Sequence, residues 1–338
     1  MNKYEFRTIT VDDIPAMSEL LICRQNLESK TFPSLKNSCL NAKYITDLLE
    51  NLFVNSKVIG TGAFANDELV GYIFGEMKID NLRGRGRHIW VPYEGIAIRM
   101  DQSSEIIREL YTKVSVVWLE QGCFSHHTVI PLGNQMYFEA FQRLSFFIDH
   151  VYGIMNMEDY KPFESLSDAE IRFANKNDSE IMGNMSSIIF SSLNSAPAFL
   201  PVIPEIVMKI NAGYKSLVED NDSTILIAEK DTKELGFQVY EPITPDLMAP
   251  DDGVELHIAG TYYSQRGRGV GKKLMNEGFR IMKEKGYNSI ISDWKITNLS
   301  ASTFWPKCGF KPIAYRMVRS IDNNIAWANF NNPSIKLL

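Results

Sequence analysis

The feature that most constrains this 338-residue chain is an internal repeat. Arg7-Thr8-Ile9-Thr10-Val11-Asp12-Asp13 resembles Arg172-Phe173-Ala174-Asn175-Lys176-Asn177-Asp178, at an offset of 165. Each reads as a short strand followed by a polar cap that opens a helix. Asn66-Asp67-Glu68-Leu69-Val70-Gly71 and Asp231-Thr232-Lys233-Glu234-Leu235-Gly236 are tight turns between apolar runs, hence hairpins, again 165 apart. Gly122 and Gly286 each follow an amphipathic helix, Glu105 to Gln121 and Val270 to Lys285, at an offset of 164. Asn134 with Phe146, and Asn298 with Phe310, bracket a short helix at the same offset. Four landmarks in one order predict two copies of one domain, about 1–155 and 168–320. A linker, 156–167, joins them, and residues 321–338 form a C-terminal extension. Each copy runs strand, one or two helices, hairpin, strand, helix, strand, helix, strand, which is a mixed α/β domain.

Hydrophobic residues make up 45% and charged residues 22%, an ordinary globular balance that excludes a disordered or fibrous chain. The formal net charge of −6 argues against a general nucleic-acid binder, which needs a dense basic face. It suits a cationic substrate better. Cys23, Cys39, Cys123 and Cys308 are scattered, without CxxC spacing, so structural zinc and a disulfide framework are not expected. Met1 to Arg7 carries no apolar core behind a basic start, and no apolar stretch approaches the roughly 18 residues of a membrane helix. The expectation is a cytoplasmic protein with no membrane partner. Two paired copies mimic a dimer within one chain, so a monomer or a homodimer is expected.

The richest stretch runs from Glu255 to Leu274. A strand ends near Thr261, and a glycine-rich turn opens a helix near Val270. Gly267, Gly269 and Gly271 let backbone N–H groups close on an anion. The helix N-terminus adds free donors and a favourable dipole. Arg266, Arg268 and Lys272 add positive charge. The spacing is neither Walker A nor GxGxxG. Taken alone, it is either a pyrophosphate cradle or a solvated basic turn.

Two linked strings decide between these. Arg266-Gly267-Arg268-Gly269-Val270-Gly271 resembles the R/Q-x-x-G-x-G/A signature of the GCN5-related N-acetyltransferase (GNAT) superfamily. Asn298-Leu299-Ser300-Ala301-Ser302-Thr303-Phe304-Trp305-Pro306-Lys307-Cys308-Gly309-Phe310 resembles its second signature, N-x-x-A-x-x-φ-Y-x-x-x-G-F. The likeness covers the second copy fully and the first in outline, as in tandem two-domain members. It implies a mostly antiparallel sheet flanked by helices, with acetyl-CoA in a V-shaped cleft between splayed strands. Residues 266–271 would hold the pyrophosphate, with Lys272 beside them. Ala259, Gly260 and Thr261 would pair with the pantetheine, and Asn298 and Trp305 would line the thiol end. No metal is implied.

The first copy departs from this pattern. At offset 164 its glycines become Ser103, Glu105 and Ile107, and its Arg becomes Gln102. Glu105 would repel a phosphate. The first copy is therefore expected to be degenerate and structural, with Trp118, Phe141, Phe146 and Phe147 in its core. Arg83-Gly84-Arg85-Gly86-Arg87 imitates a phosphate loop but lies between the strands Val70–Met77 and Ile89–Ile98, as a hairpin loop.

Acetyl transfer to an amine needs a base, because a lysine-like amine is neutral at only about one part in 10³ at pH 7. Glu255 and His257 lie on the strand entering the loop, and strand alternation puts them on one face with Ala259 and Thr261. The resemblance ranks Glu255 first. The family's usual acid, a Tyr, is replaced by Trp305, whose indole has no proton to give. Tyr315 and Cys308 are the alternative acids, or the thiolate leaves unaided. Asp293 is a candidate for holding a cationic amine. Phe199, within the proline-rich segment Ser195–Pro204, would belong either to a lid over the acceptor or to a loop packed on the first copy. The function expected is acetyl transfer from acetyl-CoA to a primary amine of a small molecule. A peptide amine is the alternative acceptor. A CoA-binding sensor or partner-binding scaffold is the non-catalytic rival.

Overall fold

The computed structural model describes residues 4–80 and 86–328, and these fall into two compact units. Unit 1 comprises the described parts of Met1–Val151, Asp246–Met248 and Ile313–Leu338; unit 2 comprises Tyr152–Pro245 and Ala249–Pro312.

The first copy supplies β1 (Glu5–Thr8), α1 (Ile14–Thr31), α2 (Ala42–Asn55), β2 (Val58–Ala65), β3 (Glu68–Asp80), β4 (Gly86–Val91), β5 (Ile96–Ile98), α3 (Glu105–Glu120), β6 (Ser125–Pro131), α4 (Gln135–Arg143) and β7 (Phe147–Asn156). The second supplies β8 (Glu170–Phe173), α5 (Ser179–Asn194), α6 (Pro204–Ser216), β9 (Thr224–Lys230), β10 (Lys233–Pro242), β11 (Gly253–Thr261), α7 (Val270–Glu284), β12 (Ser289–Lys295), α8 (Leu299–Lys307) and β13 (Lys311–Ser320). In unit 1, β1 to β4 pair antiparallel in order, and β4 then pairs parallel with β6. In unit 2, β8 to β11 pair antiparallel in order, and β11 pairs parallel with β12. Each unit is a mixed, mostly antiparallel sheet flanked by helices.

The repeated sequence landmarks are repeated structural devices. Thr10 and Asn175 each close a capping box with an aspartate three residues on. Arg7 grips Asp13 with both terminal nitrogens, and Arg172 grips Asp178 in the same way. Strand and helix start are thereby locked together twice. Both hairpins turn through consecutive left-handed residues, Asn66-Asp67 and Asp231-Thr232, which suits the twist of the flanking strands. Asn134 and Asn298 cap α4 and α8 through their side-chain oxygens.

Unit 1 has a continuous core in which Trp118, Phe141 and Phe146 are buried, each burial worth about 1.5–3 kcal/mol. Phe147 departs from expectation: it is 56% exposed, because it follows Phe146 directly and points to the opposite side of the chain. The predicted strand Ile89–Ile98 is likewise two strands, interrupted at Pro92 to Gly95. β3 pairs with β4 from Glu76↔Trp90 to Asp80↔Gly86. Of the basic hairpin loop, Arg83, Gly84 and Arg85 lie outside the described residues. The glycine-loop counterpart in unit 1 is closed by charge: Glu105 binds both Arg108 and Arg143.

One strand departs from the repeat. β13 ends the second copy in sequence, yet it pairs antiparallel with β6, from Ala314↔Pro131 to Ser320↔Ser125. Met317 joins the unit 1 core.

Candidate active site

The loop after β11 forms as its glycines require. Gly267 and Gly269 have φ of +77° and +84°, a region that side chains enter at a cost. Gly269 is the N-cap of α7. As at any helix start, the first N–H groups of α7 lack intrahelical acceptors and point outward as donors. Gly271 sits in the first turn, and a Cβ there would meet no atom closer than 3.7 Å. Arg266 donates to Ser192 Oγ on α5, which ties the loop to the opposite wall.

A cleft of about 840 Å³ opens over this turn, within unit 2. Its lining includes Ala259, Gly260 and Thr261 from β11 and the whole run from Arg266 to Lys272. Asn298 and Trp305 from α8 complete it at another wall. Twelve residues chosen from sequence for the cofactor thus share one cavity. β11 and β12 pair only over Gly253↔Ser289, Val254↔Ile290 and Glu255↔Ile291, and no pairing continues beyond Glu255. The backbone ladder ends there, with Ser292 Oγ of β12 donating to Leu256 O at 2.9 Å, and the strands part toward Thr261.

The strand carries a bulge that alternation alone did not reveal. Val239 pairs with Ile258 and Tyr240 with Leu256, so His257 is the extra residue. Ile258 and Tyr262 pack with the α5 cluster, and a Cβ on Gly260 would strike Ile188 of α5. Thr261 instead lies 3.9 Å from the Gly271 position on α7. Glu255 and His257 therefore do share a face with each other. They do not share it with Ala259 and Thr261, because the bulge resets the alternation.

His257 Nδ1 is 3.5 Å from Glu255 Oε1 and 3.9 Å from Glu241 Oε2. The Glu255 carboxylate, followed by those of Glu241 and Asp293, pushes the imidazole pKa above its usual 6.5, against the opposing effect of partial burial. Asp293 is exposed on β12, near enough for its charge to act on His257. These residues lie beside the cleft lining rather than within it.

Three candidates are displaced. Tyr315 packs against Phe138 and the unit 1 core, and it pairs with Ile130. It lines no part of the cleft, since β13 belongs to the other unit's contacts. Cys308 is buried, and burial pushes its thiol up to about 12. Phe199 is 71% exposed on the loop between α5 and α6, outside the lining. That loop folds back on α5, with Leu200 N donating to Leu193 O. Trp305 is buried in edge contact with Phe304 and Phe310.

Several lining residues were not singled out from the sequence. Ile188, Ile189, Ser192 and Leu193 form one stripe of α5, whose amphipathic spacing was legible although its destination was not. Gln238 is buried and accepts from Tyr240 Oη. Glu164 and Leu166 come from the linker.

Comparison with known proteins gives a family match for part of the chain and a likeness of fold for nearly all of it. Residues 195–310 match the model of the acetyltransferase (GNAT) family. A search of curated proteins finds no significant match. Among solved structures, the chain resembles a GCN5-related N-acetyltransferase from Sphaerobacter thermophilus, with TM-score 0.60 and 12% identity over 95% of this chain and 96% of that one. It resembles a tandem GNAT protein from the clavulanic acid biosynthesis pathway, with TM-score 0.50 and 9% identity over 94% and 98%. It also resembles a GCN5-related glucosamine N-acetyltransferase region of a fungal multi-domain enzyme, with TM-score 0.54 and 14% identity over 93% and 38%. At such identities the likeness is one of fold. Residues 195–310 thus match the acetyltransferase (GNAT) family model, and the chain as a whole shares its fold with a GCN5-related N-acetyltransferase and with a tandem GNAT protein.

Proposed function

We propose that the chain transfers an acetyl group from acetyl-CoA to a primary amine of a small molecule, in the cleft of unit 2. The observation that carries this is the convergence of the loop 266–271, the freed backbone of β11 and the start of α8 on one cavity. The α7 N-terminus and Arg266, Arg268 and Lys272 hold the pyrophosphate. Ala259, Gly260 and Thr261 offer main-chain groups to the pantetheine, as an added strand would. Asn298, whose side-chain oxygen caps α8, lines the thiol end in this reading.

Chemistry follows from the acidic face beside the cleft. A protonated amine is drawn to Glu241, Glu255 and Asp293. Glu255 takes the proton, directly or through water, and the neutral nitrogen attacks the thioester carbonyl. Backbone N–H groups of the parted strand stabilise the oxyanion. The carbonyl re-forms, the C–S bond breaks and the CoA thiolate leaves, while the second proton of the attacking nitrogen passes to water, which leaves a neutral amide. The thiol's ordinary pKa near 8.5 lets the thiolate depart without the Tyr that Trp305 replaces.

The test is release of CoA thiol from acetyl-CoA, followed with a thiol reagent across a library of small amines. Amine-dependent release, lost in Glu255→Gln, supports the reading. Tight acetyl-CoA binding with no release for any amine would favour a CoA-binding sensor, the role that the loss of the family's Tyr also suggests.

A further inference from the structure

The linker between the copies does more than connect them. Its residues dock along α7, within unit 2. Tyr160 stacks on Phe279 with ring centroids 3.8 Å apart. Asn276 clasps the linker backbone from both sides, accepting from Phe163 N and donating to Phe163 O, each at 2.9 Å. Ser165 Oγ donates to Gly269 O at 3.0 Å, and Lys273 Nζ donates to Ser167 O at 3.3 Å. Phe163 lies 5.6 Å from Lys272 Nζ. The segment is thereby fixed against the phosphate loop, and two of its side chains, Glu164 and Leu166, become walls of the cleft. Leu166 is fully exposed although its neighbours are anchored.

We infer that this linker forms the subsite for the nucleotide end of the acyl-CoA, with Leu166 packing against the adenine. The inference rests on the acyl-CoA reading above. With the pyrophosphate on residues 266–271, the chain of the ligand leads into the β11 cleft on one side. On the other it leads past Gly269, where Ser165 holds the linker. What remains of the ligand there is an adenosine carrying a 3′-phosphate. The Glu164 carboxylate repels a phosphate at this edge. The apolar base is therefore the part that meets the linker. An anchored, uncovered leucine gains burial when a flat heterocycle covers it.

The test uses the full chain and calorimetry with two ligands, acetyl-CoA and acetyl-4′-phosphopantetheine, which keeps one phosphate of the pyrophosphate and lacks the other together with the adenosine and its 3′-phosphate. Leu166→Asp is expected to weaken acetyl-CoA by more than about tenfold and to leave acetyl-4′-phosphopantetheine within about twofold. Leu166→Met should keep both affinities. Equal weakening of both ligands would mean that the linker only props the loop, and would overturn the inference. Unchanged acetyl-CoA affinity in Leu166→Asp would overturn it as well. A wild-type chain that binds neither ligand would instead bring down the acyl-CoA reading itself.

Discussion

At the scale of single residues, the site is governed by where carboxylates sit. Glu255 raises the His257 pKa because it stabilises the imidazolium. The sign for stability follows. With the folded pKa above 6.5, the ion pair stabilises the fold fully below pH 6.5 and is lost as pH rises through the folded value. Glu255→Gln should lower the His257 pKa toward 6.5, read by NMR titration of its ring protons; an unchanged value would remove Glu255 as the cause. Asp178 provides a second case. Its carboxylate caps the helix start and holds Arg172, whose hydrogen bond keeps its pKa below the usual range. Asp178→Ala should cost about 1–3 kcal/mol in denaturant unfolding, since a cap and a bidentate partner go together. Most of this was legible, because the Arg-to-Asp spacing recurs in both copies. The His257 bulge was not, since an extra residue leaves no mark on an apolar alternation already mixed with polar residues.

Among the elements, α7 carries two opposite predictions from two glycines. Gly271 has space around its Cβ position and sits in the first turn. Gly271→Glu should hold or raise the melting temperature, since glycine is a poor helix former and an acid suits the N-terminus. The same change should abolish acetyl-CoA binding by placing a carboxylate on the phosphate site; retained binding would refute the loop's role. Gly278 faces Tyr240, whose hydroxyl would lie 2.1 Å from a Cβ. Gly278→Ala should therefore destabilise by about 1–3 kcal/mol despite alanine's better propensity, because the core has no room. Gly269 is a less clean test site than Gly271. Its φ is +84°, and a Cβ would press on Ser165 Oγ at 2.9 Å, so a side chain there disturbs the linker as well. The helices were readable from their caps and stripes: Val270 and Glu105 open α7 and α3 as expected. Strand partners were not. β7 and β13 occupy the same place in the repeat, so nothing in their alternation tells which slot each fills. The displacement of Tyr315 follows from that ambiguity.

For the molecule as a whole, the two copies share a fold and differ in what their loops can hold. Unit 2 keeps the glycines, the basic residues and the cleft. At the equivalent turn, unit 1 has Glu105 bound to Arg108 and Arg143, and Gln102 buried against Tyr4 and Asp101. An anion would have to break those pairs and approach a carboxylate. That asymmetry was visible in the sequence as soon as the repeat was aligned, because the missing glycines fall at fixed offsets. The linker's part was invisible there, since Leu166 shows its value only where it stands beside the loop. The central claim is one acyl-CoA site per chain, in unit 2. Calorimetric titration of acetyl-CoA into the full chain measures it directly. A stoichiometry of one, abolished by Gly271→Glu, is the predicted result. Two sites per chain, or none at millimolar ligand, would contradict it.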